Sequence, residues 1–333
     1  MPSVFSRRQL LAGGASLIAG LTMADRSSDA EDGTMPPFAT PAALPNIENR
    51  PSGPLKVSTS TSILADLARQ IGGGRIEVTS ILPANADPHD FEPSPDDVIA
   101  IEDADVIVTH GLQLDTWADG LIEASQSDAP IVVATAGIET IGSAHDHEDE
   151  DHAFGEGDPH VWFDPMRAKQ MAANIFEALA TVDPDGAVGY LERFEAYAEQ
   201  LDQLDAEIRE RIELIPEERR ILVTNHDALA YYAERYGLTI VGTVIPGLDS
   251  RAEPSAKEVV ALIEQIHETG VSVIFAENTI GPALAESLAA DAGIRVAPDL
   301  YTDSLGDEGS GADTYIGLMQ TDTRIIVENL RAA

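Results

Sequence analysis

Apolar positions along the chain follow two rhythms. From Leu55 onward, short β-rich runs at Lys56–Thr59, Ile76–Leu82, Val106–Thr109 and Ile131–Ala134 read as strands. Segments between them, such as Ile63–Ile71 and Pro95–Glu102, carry their apolar residues at helical spacing. A second set repeats the alternation, with strands at Arg220–Thr224, Thr239–Val244, Val271–Phe275 and Ile294–Ala297. Its helices are expected at Ala228–Tyr236, Ser255–Glu268 and Pro282–Ala292. Strand and helix in turn predict parallel βαβ units. The expected fold class is therefore α/β, with two similar lobes, each a four-stranded parallel sheet flanked by helices.

Between the two sets, Tyr190, Phe194, Tyr197, Leu201, Leu204, Ile208 and Ile212 recur at intervals of three and four. That spacing places one apolar stripe along a single helix, bounded by Pro184 and Pro216. About 25 residues rising ~1.5 Å each make a rod of roughly 38 Å, enough to run along both lobes. The stripe is core packing, and an unbroken helix predicts a stiff link between the lobes.

The first residues follow another pattern. Arg7-Arg8 stands directly before the apolar run Leu10–Met23, which is too short to anchor in a bilayer but suits the core of a signal peptide. Paired arginines at that place resemble the signal of the twin-arginine export route. The following stretch is rich in Ser, Asp and Pro and reads as a flexible tether. The expected organisation is an export signal at 1–30, a linker at 31–54, a first lobe at 55–185, the linking helix at 186–215 and a second lobe at 216–333. With no later apolar stretch long enough to cross a membrane, the expected product is an exported, soluble protein, periplasmic or at the cell surface.

Composition narrows the chemistry. The net charge of −38, from 58 acidic and 20 basic residues, would repel nucleic acid. Such acidity fits a solvated, salt-adapted surface. There is no cysteine, which excludes disulfides, thiolate metal sites and a lipid-bearing cysteine. A bound metal would have to be held by imidazole, carboxylate or carbonyl groups.

The chain has 8 histidines, in unequal settings. His89 sits in Asp87-Pro88-His89-Asp90, past the second strand, and His160 in Asp158-Pro159-His160-Val161-Trp162. His226 follows a strand in Thr224-Asn225-His226-Asp227, and Asp303 follows another in Thr302-Asp303-Ser304-Leu305. Loops just past strand ends are where open α/β sheets build ligand sites. A single such histidine is more often structural, but candidates from both halves converging on one cleft are a specific arrangement. His145-Asp146-His147 through His152 forms a further His/acid tract, a candidate for weak binding of a second ion or simply a solvated loop. His110 is a candidate for the lining of the cleft, and His267 reads as surface.

These motifs, with Glu253-Pro254-Ser255-Ala256 and Phe275-Ala276-Glu277, resemble the zinc- and manganese-binding receptors of ABC importers from about Leu55 to Leu330. The resemblance implies two lobes bridged by a long helix and one metal site made of His89, His160, His226 and Asp303. It also implies a Zn2+ or Mn2+ cargo, a membrane permease as partner and a monomeric receptor. Manganese-selective relatives commonly carry Glu where His226 stands, which turns the expectation toward zinc; the retained Asp303 turns it partly back. Glu277, Asp227 and Asn225 are expected to orient the imidazoles, and Tyr232 to belong to the core. Against a hydrolase stand four side-chain ligands, which fill zinc's usual shell, and the absence of His-Glu-x-x-His, Gly-x-Ser-x-Gly or a phosphate-cradling loop. A purely adhesive role has no signature of its own.

Overall fold

The computed structural model describes residues 53–142 and 157–332. The export signal, nearly all of the linker and the tract His145–His152 lie outside the described residues.

The first half alternates as expected: β1 (Leu55–Thr59), α1 (Ser62–Gly72), β2 (Ile76–Ser80), α2 (Pro95–Glu102), β3 (Val106–Thr109), α3 (Trp117–Ser125) and β4 (Ile131–Val133). Its strands make one parallel four-stranded sheet in the order β2-β1-β3-β4. Local chemistry fixes the helix starts. Thr61 accepts the amide of Leu64 at the head of α1, and Ser94 and Asp97 form a capping box at α2, with Pro95 already set for the first turn.

After α4 (Pro165–Val182), the striped segment forms one helix, α5, over Ala187–Ile212. Its 26 residues make a rod of roughly 39 Å. Tyr190, Tyr197, Leu201, Leu204, Ile208 and Ile212 are buried along it. Phe194 is partly buried and stacks on Phe176 of α4, ring centroids 5.3 Å apart.

The second half contains β5 (Ile221–Thr224), α6 (Ala230–Tyr236), β6 (Thr239–Thr243), α7 (Ala256–Thr269), β7 (Val273–Ile274), α8 (Ala283–Ala292) and β8 (Arg295–Val296). It repeats the first half with a thinner sheet. β5 pairs with β6 and β7 with β8, all parallel. The two pairs meet at the single bridge Thr224↔Phe275, where Phe275 N donates to Val223 O at 2.9 Å. The resulting order, β6-β5-β7-β8, matches that of the first half. The pairing is sparse because β5 shifts register between Leu222 and Val223, and because β7 and β8 are two residues long.

The last helix, α9 (Tyr315–Ala332), returns to pack on α5 and on α1 of the first half. Asp66 of α1 accepts the Tyr315 amide at 2.8 Å, and the Tyr315 hydroxyl donates to Trp162 O at 2.6 Å. No helix among the described residues is long and apolar enough to cross a membrane.

Candidate metal centre

Four loops deliver the four residues picked out above to one point between the halves. His89 lies in a 3-10 turn, Pro88–Asp90, between β2 and α2. His160 heads a second 3-10 turn, Val161–Phe163, before α4. His226 follows β5, and Asp303 lies beyond β8. Together they form a group able to hold a metal ion, with one ligand atom from each all within 4.8 Å of one another. His160, His226 and Asp303 are completely buried, and only His89 is partly exposed.

Backbone and carboxylates aim the rings. Asp158 Oδ1 accepts both the backbone N–H of His160 at 2.9 Å and its ring Nδ1 at 2.7 Å. Glu277, just past β7, does the same for His226, with Oε1 on the backbone N–H at 2.8 Å and Oε2 on Nδ1 at 2.5 Å. With each Nδ1–H so engaged, both Nε2 atoms point inward, an arrangement that fixes the tautomer and strengthens the nitrogen as a ligand. The two Nε2 atoms are 3.3 Å apart. Asp303 offers Oδ1 at 3.4 Å from Nε2 of His160 and Oδ2 at 3.5 Å from Nε2 of His226. Ligands ~2.05 Å from a tetrahedral zinc ion lie ~3.3 Å from one another. The donor set therefore already stands close to coordination spacing. His89 sits slightly further out, its ring centroid 5.6 and 5.8 Å from those of His160 and His226, against 5.1 Å between the latter two. Its Nε2 is buried, with no hydrogen-bond partner among the described residues.

Charge within the cluster is divided sharply. Burial opposes a charge on His160, but Asp158 and Asp303 outweigh it and lift the imidazole to about 10. Burial likewise opposes charge on His226, which Glu277 and Asp303 raise to about 9. His89, with no such carboxylate bonded to its ring, is pushed by burial down to about 3. Asp303 is held well below the usual carboxylate range: burial works against its charge, and His226 and His160 overcome it.

The neighbouring residues sort themselves out. His110 is buried outside the group, its Nε2 2.8 Å from the carbonyl of Pro159, the residue before His160. His267 is exposed on α7, as expected, with its Nε2 3.1 Å from Ala292 O at the end of α8. Tyr232 belongs to the core, its hydroxyl 2.8 Å from Thr323 Oγ1. Of the three residues expected to orient imidazoles, Glu277 does so. The carbonyl of Asn225 and the amide of Asp227 hold the segment that follows β6, bonding to Ile245 N at 2.7 Å and Gly247 O at 3.2 Å. The orienting role of Asp158 escaped residue-level reading, although the Asp-Pro-His sequence occurs twice and an Asp two residues ahead of an amide is an Asx-turn signal. Thr302, part of the motif around Asp303, has its hydroxyl 3.0 Å from Glu277 Oε2 and 3.2 Å from Asp303 Oδ2, linking the two acids, a role its motif alone does not reveal.

A family model described as the periplasmic component A of the zinc-uptake complex matches residues 57–329. The chain belongs to this family. It is a family of metal-binding transport receptors, not of enzymes. Among its relatives is a manganese-binding lipoprotein, MntA, of Halalkalibacterium halodurans, 35% identical over 276 residues, covering 83% of this chain and 88% of that one. Another is the metal ABC transporter substrate-binding lipoprotein FimA of Streptococcus parasanguinis, 30% identical over 285 residues, covering 84% and 90%. Among solved structures, the periplasmic zinc-binding protein TroA of Treponema pallidum superposes with a TM-score of 0.76 at 28% identity, covering 84% of this chain and 99% of that one. Both relatives are named lipoproteins; the 333-residue sequence contains no cysteine.

Proposed function

We propose that this receptor captures one divalent ion, zinc ahead of manganese, on His89, His160, His226 and Asp303, and hands it to the permease of an ABC importer. The observation that carries the reading is the convergence of two carboxylate-oriented Nε2 atoms and the Asp303 carboxylate at 3.3 to 3.5 Å spacing. Three imidazoles and one carboxylate form a borderline donor set of four, the number a zinc ion prefers. Manganese would favour both oxygens of Asp303, which is why it stands second. The chain is read as an export signal at 1–30 leaving by the twin-arginine route, a tether at 31–54, lobes at 55–185 and 216–333, and the linking helix at 186–215. It works outside the cytoplasm as a monomer once the signal is removed.

The test is elemental analysis of the purified protein, then competition between Zn2+ and Mn2+ after chelator stripping. Stoichiometric zinc, with preference for zinc in competition, is expected; a clear preference for manganese reverses the order. His226→Ala should remove most of the affinity, and calorimetry showing unchanged binding would sink the ligand assignment.

A further inference from the structure

The two Asp-Pro-His turns use their aspartates differently. In the second turn, one oxygen of Asp158 holds both the backbone and the ring of His160. In the first, Asp87 Oδ1 accepts only the backbone N–H of His89, at 2.8 Å. The other oxygen, Oδ2, accepts the hydroxyl of Ser250 at 2.5 Å. The direction of His89 therefore depends on how firmly its turn is held.

Part of that hold comes from its own half, where Phe91 packs on Trp117 with ring centroids 4.7 Å apart, and part from the opposite half of the molecule. Ser250 lies on the segment after β6, which is pinned beside His226 by the bonds from Ile245 N to Asn225 O and from Asp227 N to Gly247 O. The segment is braced internally by Arg251, whose guanidinium meets Asp249 at 2.7 Å. It thus runs from the His226 turn across the cleft to the His89 turn. Two more bonds from the second half reach the same loop: Asn85 N donates to Leu305 O at 3.0 Å, and Asn278 Nδ2 donates to Asn85 Oδ1 at 2.9 Å. From its own half the turn receives one side-chain bond, Trp117 Nε1 to Pro88 O at 3.0 Å.

We infer that Ser250 is a positioning residue for the cargo ion: through Asp87 it fixes the His89 turn and so governs how quickly the ion leaves. The inference rests on the ligand reading above. A hydroxyl donating to a carboxylate is a charge-assisted bond. Without it, Asp87 has no donor on Oδ2, the turn loses its link to the segment beside His226, and the ring of His89 spreads over several directions. The other three donors are buried, and His160 and His226 are held independently by Asp158 and Glu277, so capture is little changed. Release is the step that feels a loosened fourth ligand.

The experiment uses the full mature chain with Ser250→Ala, Ser250→Thr, Asp87→Asn and His89→Ala, stripped and reloaded with Zn2+. Release is timed by a chelator chase in stopped flow, and amide exchange at His89 is measured on the stripped protein. Ser250→Ala should release zinc about tenfold faster, the scale of losing a partner that orients a ligand. Its association rate should stay within about twofold. Its His89 amide should exchange faster, and Ser250→Thr should restore the parent behaviour. Asp87→Asn combined with Ser250→Ala should release no faster than the faster single variant. Unchanged release in Ser250→Ala, while His89→Ala still loses affinity, overturns the positioning role and leaves the ligand reading standing. Zinc held as tightly by His89→Ala as by the parent overturns both.

Discussion

Two imidazolium-prone rings and three carboxylates share one buried space, and that pairing sets how the site responds to pH. His160 is raised to about 10 and His226 to about 9, so protons compete with an ion for this pair of rings near neutrality. An ion needs their Nε2 lone pairs, so binding should release between one and two protons from the pair. The sign follows: apparent affinity rises with pH, by up to ~100-fold per unit well below pH 9, and levels off once both rings have lost their protons. Calorimetry in buffers of differing ionisation heat, at about pH 7.5, checks the count of protons released. Glu277→Gln removes the charge that aims His226 and should lower affinity by about 10–100-fold, measured by competition with a chromogenic chelator. The four candidate residues were legible because at least three sit in loops past strand ends, and because the motifs around all four resemble those of a known family of metal receptors, which implied the set. Asp158 and Ser250 were less so. Their roles depend on which oxygen faces which partner across the fold, and nothing in a local window encodes that.

At the scale of elements, α5 was the most legible, since seven apolar residues at helical spacing can hardly lie on anything but one buried face. Leu201 and Leu204 are completely or almost completely buried in it. Leu201→Ala should destabilise the protein by about 2–5 kcal/mol through lost burial and the cavity left behind, read from denaturant unfolding of the ion-free form. Strand positions were also legible, though not their ends. β7 and β8 stop short of their apolar runs, but the pairing continues through Phe275 N to Val223 O and Ala297 N to Ile274 O at 2.8 Å. Hydrophobic runs mark what is buried, and ladder geometry decides where hydrogen bonding ends. Helices α3, α4 and α9 had not been singled out. α4 is buried on much of its surface, with small residues Ala168, Ala172, Ala173 and Ala178 among its contacts, so its stripe is blurred. The return of α9 to α1 and α5 is a long-range contact that periodicity cannot show.

For the whole molecule, the two halves are joined by more than the linking helix. Trp162 Nε1 donates to Thr302 O at 3.0 Å, Tyr231 OH to Asp158 O at 2.7 Å, and Leu305 N to Ser62 Oγ at 2.9 Å. Such stapling predicts a small adjustment on loading, not a wide closure, and small-angle scattering of stripped and loaded protein should give nearly superimposable profiles. A large compaction would refute it. The charge of −38 acts at the same scale. Shrinking the screening length from about 10 Å at 0.1 M salt to about 3 Å at 1 M relieves self-repulsion. The melting temperature should therefore rise with sodium chloride, and indifference to salt would count against a salt-adapted surface.

The candidate ligands are drawn from nearly the full length of the chain, the first before α2 and the last after β8. Neither half alone carries all four donors. The ion thus acts as an inspector of finished molecules. With all four as ligands, it would bind best to a chain whose two halves have both folded and docked, and at a hundredfold excess over its dissociation constant would add about 2.7 kcal/mol to that state.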